Sequence, residues 1–404
     1  MMNPDNFPAQ VLPVQSAKRR FLFMRVRSAL CVVFSVLIIL LCTSVPADAL
    51  SGKEISAPSA VLMDSRSGKV LFSKNAHEVR PCASITKVMT LTLVMEALDS
   101  GKISLTDTVT ASEHAASMGG SDIWLEPGER MSVDDMIKAT VVASANDAAV
   151  ALAEFICGSE DEFVSEMNEK AKALGMKETV FKNCNGLDED GHVTSAYDVA
   201  IMSRELSKHR RIFNYSNIWM DNLRGGKTQI VNTNKLLKTY DGITGLKTGT
   251  TAEAGCCMSA TAERDGLSLV AVVLGCKSGT ERFKDAASLL DYGFANYTTQ
   301  KLALPKNARD DVQVEGGMVK TIKVECSDPG DMIVSRMATN KITSELKIKK
   351  KIEAPIKKGD RVGEVNYYLD GELLKNIPIT AKESVDKMTF SSVLGGLFNS
   401  LLEL

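Results

Sequence analysis

The stretch Arg80-Pro81-Cys82-Ala83-Ser84-Ile85-Thr86-Lys87-Val88-Met89-Thr90 opens an apolar helix and sets a hydroxyl three residues before an amine. From Ser84 to about Leu98, the residues Ile85, Val88, Met89, Leu91, Leu93, Val94, Met95 and Leu98 fall on nearly every helical face. That pattern predicts a helix buried all round. Ser84 and Lys87 then project from one face, roughly 5–6 Å apart at Cβ. Desolvation and a second nearby cation both lower a lysine pKa. A neutral Lys87 could take the Ser84 proton and make it a nucleophile. Ser-x-x-Lys also occurs at Ser344 and Ser384, in polar C-terminal segments where a helix start with a solvated lysine is the plain reading.

Two further strings follow in order. Ser144-Ala145-Asn146 forms a tight link between two predicted helices. The first opens at Ser132, with Asp135 as capping-box partner, and ends near Ala143; the second runs from Asp147 to Ile156. A hydroxyl at Ser144 can relay a proton from Lys87 to a leaving amine, and the Asn146 amide can bond a substrate amide. Taken alone, both residues read as helix caps. Lys247-Thr248-Gly249 is expected on a strand bordering the cleft, where Lys247 and the Thr248 hydroxyl suit a terminal carboxylate. Gly249 lets backbone approach substrate closely. The Thr250 amide can pair with that of Ser84 as an oxyanion hole. Alone, Lys-Thr-Gly could equally be an exposed turn.

At 404 residues the chain is long enough for two or three domains. Lys18, Arg19, Arg20, Arg25 and Arg27 precede an apolar run from Ala29 to Val45, closed by Pro46-Ala47-Asp48-Ala49. This is the pattern of an export signal cut after Ala49, with an uncleaved anchor as the competing reading. Cys42 does not mark a lipoprotein, because bulky Leu41 precedes it. Removing residues 1–49 takes away five basic and two acidic side chains and leaves 43 Lys+Arg against 48 Asp+Glu, a net of about −5. No broad basic surface is implied, which argues against nucleic acid as a partner. The seven remaining cysteines are an odd number and read as small buried thiols. No Cys-x-x-Cys or His-Glu-x-x-His string points to a metal, and His77, His114, His192 and His209 lack ligand spacing. His192 could line the site, though a structural role is the simpler reading. Gly226-Lys227-Thr228 fails as a phosphate-binding loop, since Asp221 stands where that pattern needs Gly.

Strands at Ala60–Asp64 and Val70–Phe72 flank a hairpin turn, as do Cys256–Glu263 and Leu267–Gly275 around Arg264-Asp265-Gly266. The expected fold class is α+β: a first domain over residues 50–297 and a small β-rich domain over 298–381. Residues 341–361 hold eight Lys/Arg against three acids, by default a solvated face, otherwise a contact for an anionic surface. Residues 382–404 are expected to form an amphipathic helix. Phe390, Val393, Leu394, Leu397, Phe398, Leu401 and Leu402 make its apolar stripe, suited to lying in a membrane interface or docking on the β domain.

These strings, with Ser144 through Ala149, Phe163-Val164 through Asn168, Leu174-Gly175-Met176, Asn185-Gly186-Leu187-Asp188 and Gly245 through Thr251, resemble the serine D-alanyl-D-alanine carboxypeptidases. Those enzymes are low-molecular-mass penicillin-binding proteins, and the resemblance spans nearly the whole mature chain. It implies a penicillin-binding/β-lactamase-like catalytic domain, an antiparallel sheet with helices on both faces, followed by the β domain and a membrane-anchoring helix. It further implies Ser84 as acyl-enzyme nucleophile, Lys87 as proton acceptor, Ser144 as relay, and substrate binding by Asn146, Lys247, Thr248, Gly249 and Thr250. The implied partners are peptidoglycan stem peptides, β-lactams as covalent inhibitors and a membrane surface on the cell-wall side, with no metal or cofactor. Cys82 departs from the small residue or proline usual there. A class A β-lactamase shares the strings but normally carries Asp where Ala145 stands and lacks the β domain. A non-catalytic module binding wall peptides is the reading from a different class.

Overall fold

The computed structural model describes residues 54–395, so the expected export signal and the tail beyond 395 lie outside the described residues. The chain enters as β1 (Ser59–Asp64), turns and returns as β2 (Val70–Lys74). A 3-10 turn, Ala83–Thr86, leads into α1 (Lys87–Asp99). Then come α2 (Val133–Lys138), α3 (Asn146–Cys157), α4 (Glu160–Ala173) and α5 (Ala196–Lys208). The first unit closes with β3 (Ile243–Thr251), β4 (Gly255–Arg264), β5 (Leu267–Cys276) and α6 (Gly279–Asn296).

The five strands form one antiparallel sheet in the order β2-β1-β5-β4-β3. Successive strand side chains point to opposite faces. Accordingly Val61, Met63, Val270, Val272 and Leu274 pack with α1 and α5, whereas Ala60, Leu62, Leu269, Ala271 and Val273 pack with α6. Helices cover both faces, which is why β1 and β5 read as unbroken apolar runs rather than alternating ones. α1 is buried on almost every side, as its sequence requires. Each fully buried large aliphatic side chain there contributes about 1.5–3 kcal/mol relative to exposure.

After Asn296 the chain changes character. Tyr297–Lys301 pairs with Asp331–Ser335. A four-stranded sheet, Val324–Cys326, Glu372–Ala381, Arg361–Leu369 and Ile342–Ile348 in spatial order, encloses a second core around Val312, Ile322, Val365 and Ile379. The tail differs from the sequence expectation. Residues 382–389 are not helical: Val385 is buried in the β-domain core and bridges Ile356, and Lys387 bridges Gly317. One buried valine and these backbone pairs override the amphipathic pattern, and helix starts only at residue 390. All seven cysteines among the described residues are free thiols.

One glycine fixes the start of α1. Gly186 adopts φ +87°, and a Cβ there would stand 2.0 Å from the Ala83 carbonyl oxygen and 2.9 Å from the Ser84 nitrogen. The Asn185–Gly186 backbone therefore backs directly onto the Ser84 turn. Gly186→Ala is expected to cost about 2 kcal/mol or more, a fall of roughly 4 °C or more in thermal midpoint. An unchanged midpoint in calorimetry would show that this contact does not constrain the turn.

Candidate active site

Ala83, the residue before Ser84, holds φ +51°, a strained conformation for a side chain with a Cβ. It turns the Ser84 hydroxyl toward the cleft while Ile85 and Thr86 stay buried. One turn later the Lys87 ammonium lies fully buried, with Nζ 3.0 Å from Ser84 Oγ and 2.6 Å from the Asn185 carbonyl oxygen. It also bonds Asn146 Oδ1. Burial pushes its pKa down to about 7, although Cys184, Asp122 and Asp147 pull the other way. A neutral amine has two hydrogens and one lone pair. Both hydrogens are claimed by carbonyl oxygens, so the lone pair faces the remaining neighbour, the Ser84 hydroxyl.

Ser144 and Asn146 come from the link between α2 and α3. The Ser132 hydroxyl caps α2 by accepting from the Asp135 amide at 3.1 Å, and a π-helical turn, Ala139–Ala143, extends it. Ser144 ends that turn in the left-handed region, φ +63°. Its Oγ accepts from Lys247 Nζ at 2.7 Å, so its own hydrogen points elsewhere in the cleft. The Asn146 amide nitrogen donates to the Gly119 oxygen at 2.6 Å and keeps its second hydrogen. Asn146 thus primarily holds Lys87, a use the sequence expectation of a substrate contact did not include.

Lys247, Thr248 and Gly249 lie on the edge strand β3, in one cleft with the other two strings. Lys247 is buried, and burial first, then the nearby Lys87 and Arg282, pushes its pKa well below the usual lysine range. A carboxylate placed beside it would shift the balance back toward the ammonium. The Thr248 hydroxyl donates to Thr233 Oγ1 at 2.6 Å. A Cβ on Gly249 would fall 3.0 Å from the Ser84 nitrogen and 2.7 Å from the Cys82 oxygen, so only glycine lets β3 come this close to the Ser84 turn. Thr250 is exposed at the cleft rim.

Sequence reasoning missed several groups. The Asn185 carbonyl leaves no side-chain signal. Arg282, in the first turn of α6, donates through Nη1 to the Gly249 oxygen and to Thr250 Oγ1, both at 3.0 Å. Asp147 is buried and accepts from the Ile123, Leu125 and Ala148 amides, pinning the loop that carries Gly119 to α3. His192 proves structural: Nδ1 accepts from the Lys182 amide at 3.1 Å, leaving Nε2 to donate to Thr86 Oγ1 at 2.7 Å. Burial lowers its pKa to about 4, which keeps it neutral. No metal-ligating cluster occurs among the described residues.

Comparison with known proteins places this architecture. A family profile described as "D-alanyl-D-alanine carboxypeptidase" matches residues 45–278, and one described as "Penicillin-binding protein 5, C-terminal domain" matches residues 297–387. The chain is 46% identical over 342 residues to D-alanyl-D-alanine carboxypeptidase DacF of Bacillus subtilis, covering 84% of this chain and 88% of that protein. It is 33% identical to DacC of Escherichia coli, covering 83% and 86%. Penicillin binding protein 5 from Haemophilus influenzae superposes with a TM-score of 0.73 at 30% identity, over 84% of this chain and all of that one. Penicillin-binding protein D2 from Listeria monocytogenes, solved in an ampicillin-bound form, is 34% identical with a TM-score of 0.55, over 59% of this chain and 98% of that one. The chain belongs to the serine D-alanyl-D-alanine carboxypeptidase family and carries the β domain of penicillin-binding protein 5 behind its catalytic domain.

Proposed function

We propose that this peptidase removes the terminal D-alanine from peptidoglycan pentapeptide stems through an acyl-enzyme on Ser84, and that β-lactams acylate the same hydroxyl. The observation that carries the reading is the arrangement of Lys87, whose two carbonyl partners leave its lone pair for Ser84. Lys247 and Thr248 receive the substrate's terminal carboxylate, with Arg282 adding positive charge beside Thr250. Ser84 Oγ attacks the carbonyl of the penultimate residue as its proton passes to Lys87. The oxyanion is stabilised by the Ser84 and Thr250 amides. Ser144 gives its proton to the departing amine and takes the one on Lys87 in exchange, so the C–N bond breaks, D-alanine leaves and Lys87 is neutral again. Lys87 then takes a proton from water as the hydroxide attacks the ester, and returns it to Ser84 Oγ as the acyl–oxygen bond breaks.

The purified protein should release D-alanine from a diacyl-L-Lys-D-Ala-D-Ala peptide; an intact fold with no release would favour a wall-binding module. Fluorescent penicillin should label the parent and not Ser84→Ala, and a labelled mutant would remove Ser84 as nucleophile. Because the base is the neutral form of Lys87, with a pKa of about 7, the acylation rate should rise with pH through about 7 and level off above it. Below that point it should fall about tenfold per pH unit. A flat profile between about pH 5 and 9 would assign the proton to another group.

We further propose that the protein is exported, cut after Ala49, and held on the outer face of the cytoplasmic membrane by the helix that starts at residue 390. The exposed Phe390, Val393 and Leu394 support this placement, and the sequence continues the stripe through Leu397, Phe398, Leu401 and Leu402. Among the described residues, no helix is long and apolar enough to cross a membrane. Truncation after Thr389, which spares buried Val385, should leave penicillin labelling intact and release the processed chain from membranes. Retention of a truncated chain that still carries residues 1–49 would point to an uncleaved N-terminus as the anchor.

A further inference from the structure

The root of the tail is fastened to an exposed apolar turn. Between strands Val312–Glu315 and Thr321–Ile322 the chain passes through Gly316-Gly317-Met318-Val319-Lys320. The Met318 amide donates to the Asp386 oxygen at 3.0 Å, and the Met388 amide donates to the Gly316 oxygen at 2.7 Å. Gly317 forms a bridge with Lys387. A Cβ on Gly317 would stand 2.6 Å from Val314 Cγ1 and 2.8 Å from Val385 Cγ1, so the turn lies against the tail as bare backbone. Backbone pairing therefore fixes the position of the turn beside the start of the terminal helix.

The side chains at this end face solvent. Met318 is 44% exposed, Val319 48%, Met388 51% and Phe390 84%, although the neighbouring Val312, Val314 and Val385 are buried in the core. Clustered exposed apolar side chains mark an interaction surface. On the same two stretches, residues 315–323 and 382–388, Lys320, Lys323, Lys382 and Lys387 are exposed, and none forms an ion pair among the described residues. Three acids, Glu315, Glu383 and Asp386, lie on these stretches, a surplus of one positive charge, and Lys320 and Lys387 are the lysines next to the paired backbone of the turn and the tail. Exposed apolar residues bordered by lysines match an anionic lipid interface.

We propose that the Met318–Val319 turn is a second membrane-insertion point, entering the interfacial zone of an anionic bilayer beside the terminal helix. The inference rests on the reading of the tail as membrane-bound. It adds that the bilayer is gripped at two places joined by backbone hydrogen bonds, so that the β domain stands on the membrane in a fixed orientation.

The test uses vesicles of phosphatidylglycerol and phosphatidylcholine with the chain processed after Ala49. Met318→Ser/Val319→Ser, which introduces no charge, should lower vesicle partitioning about tenfold. Penicillin labelling, the check on folding, should be unchanged. The chain truncated after Thr389 should lose more binding, and the double substitution on that background should remove the remainder. If the double variant of the untruncated chain binds as its parent does while truncation releases it, the turn lies outside the membrane and the proposal is overturned. If truncation has no effect, the tail reading fails; loss of binding on adding the double substitution would then support the turn. No further loss would overturn both.

Discussion

Burying an ammonium group is among the most expensive things a protein interior can be asked to do, and Lys87 stands where that cost is turned to use. The apolar residues of α1 and the strands beneath it exclude water from the amine, and exclusion selects the neutral form. The Asn146 and Asn185 carbonyls then fix how that neutral amine is oriented. Each feature nearby serves the same constraint: the left-handed backbone at Ser144, the glycine at 186 that lets a carbonyl come under the helix start, and the strained turn at Ala83. With water admitted to this corner, Lys87 would return toward about 10.4 and the serine would have no base.

A second buried lysine in the same cleft makes the arrangement asymmetric. Lys87 lowers the affinity of Lys247 for a proton, and Ser144 bonds Lys247 directly. In the proposed reaction a carboxylate arriving at Lys247 would stabilise charge there and, by its own negative charge, cancel it as seen from Lys87. The terminus could then be held without charging or discharging the base, and a ligand without the carboxylate would lack that compensation.

What the sequence disclosed follows the range of each interaction. Ser84 and Lys87 were legible because an i, i+3 pair shares a helix face whatever surrounds it. Two hairpins of the sheet were legible from their strand-like runs and turns, whereas the helices on both faces were expected from family likeness. Ser144, Asn146 and Lys247 were legible through their order along the chain and family likeness, since as isolated residues they match caps and turns. The Asn185 carbonyl was not, because every residue has one and only tertiary approach decides which is used. Arg282 was hidden for a related reason, as its role depends on the first turn of α6 meeting an edge strand 33 positions away in sequence. The tail misled at its root because an amphipathic period counts side chains and ignores backbone pairing. Val385 lies ahead of the apolar stripe, inside the span expected to be helical, and the β-domain core claimed it.

The free thiols acquire a meaning from where they sit. Cys82 lies beside the Ser84 turn, Cys184 adjoins Lys87, and Cys257 lies behind Gly249. Burial raises all three, to about 11 for Cys82 and about 12 for Cys257, so each stays protonated. Sulfur is polarizable but a poor hydrogen-bond acceptor. A carboxylate in place of Cys184 would draw the amine back toward its charged form. The protonated thiol there, with Cys82 against the Ser84 turn and Cys257 across from Gly249, fills volume in the cleft wall as a soft, uncharged lining instead.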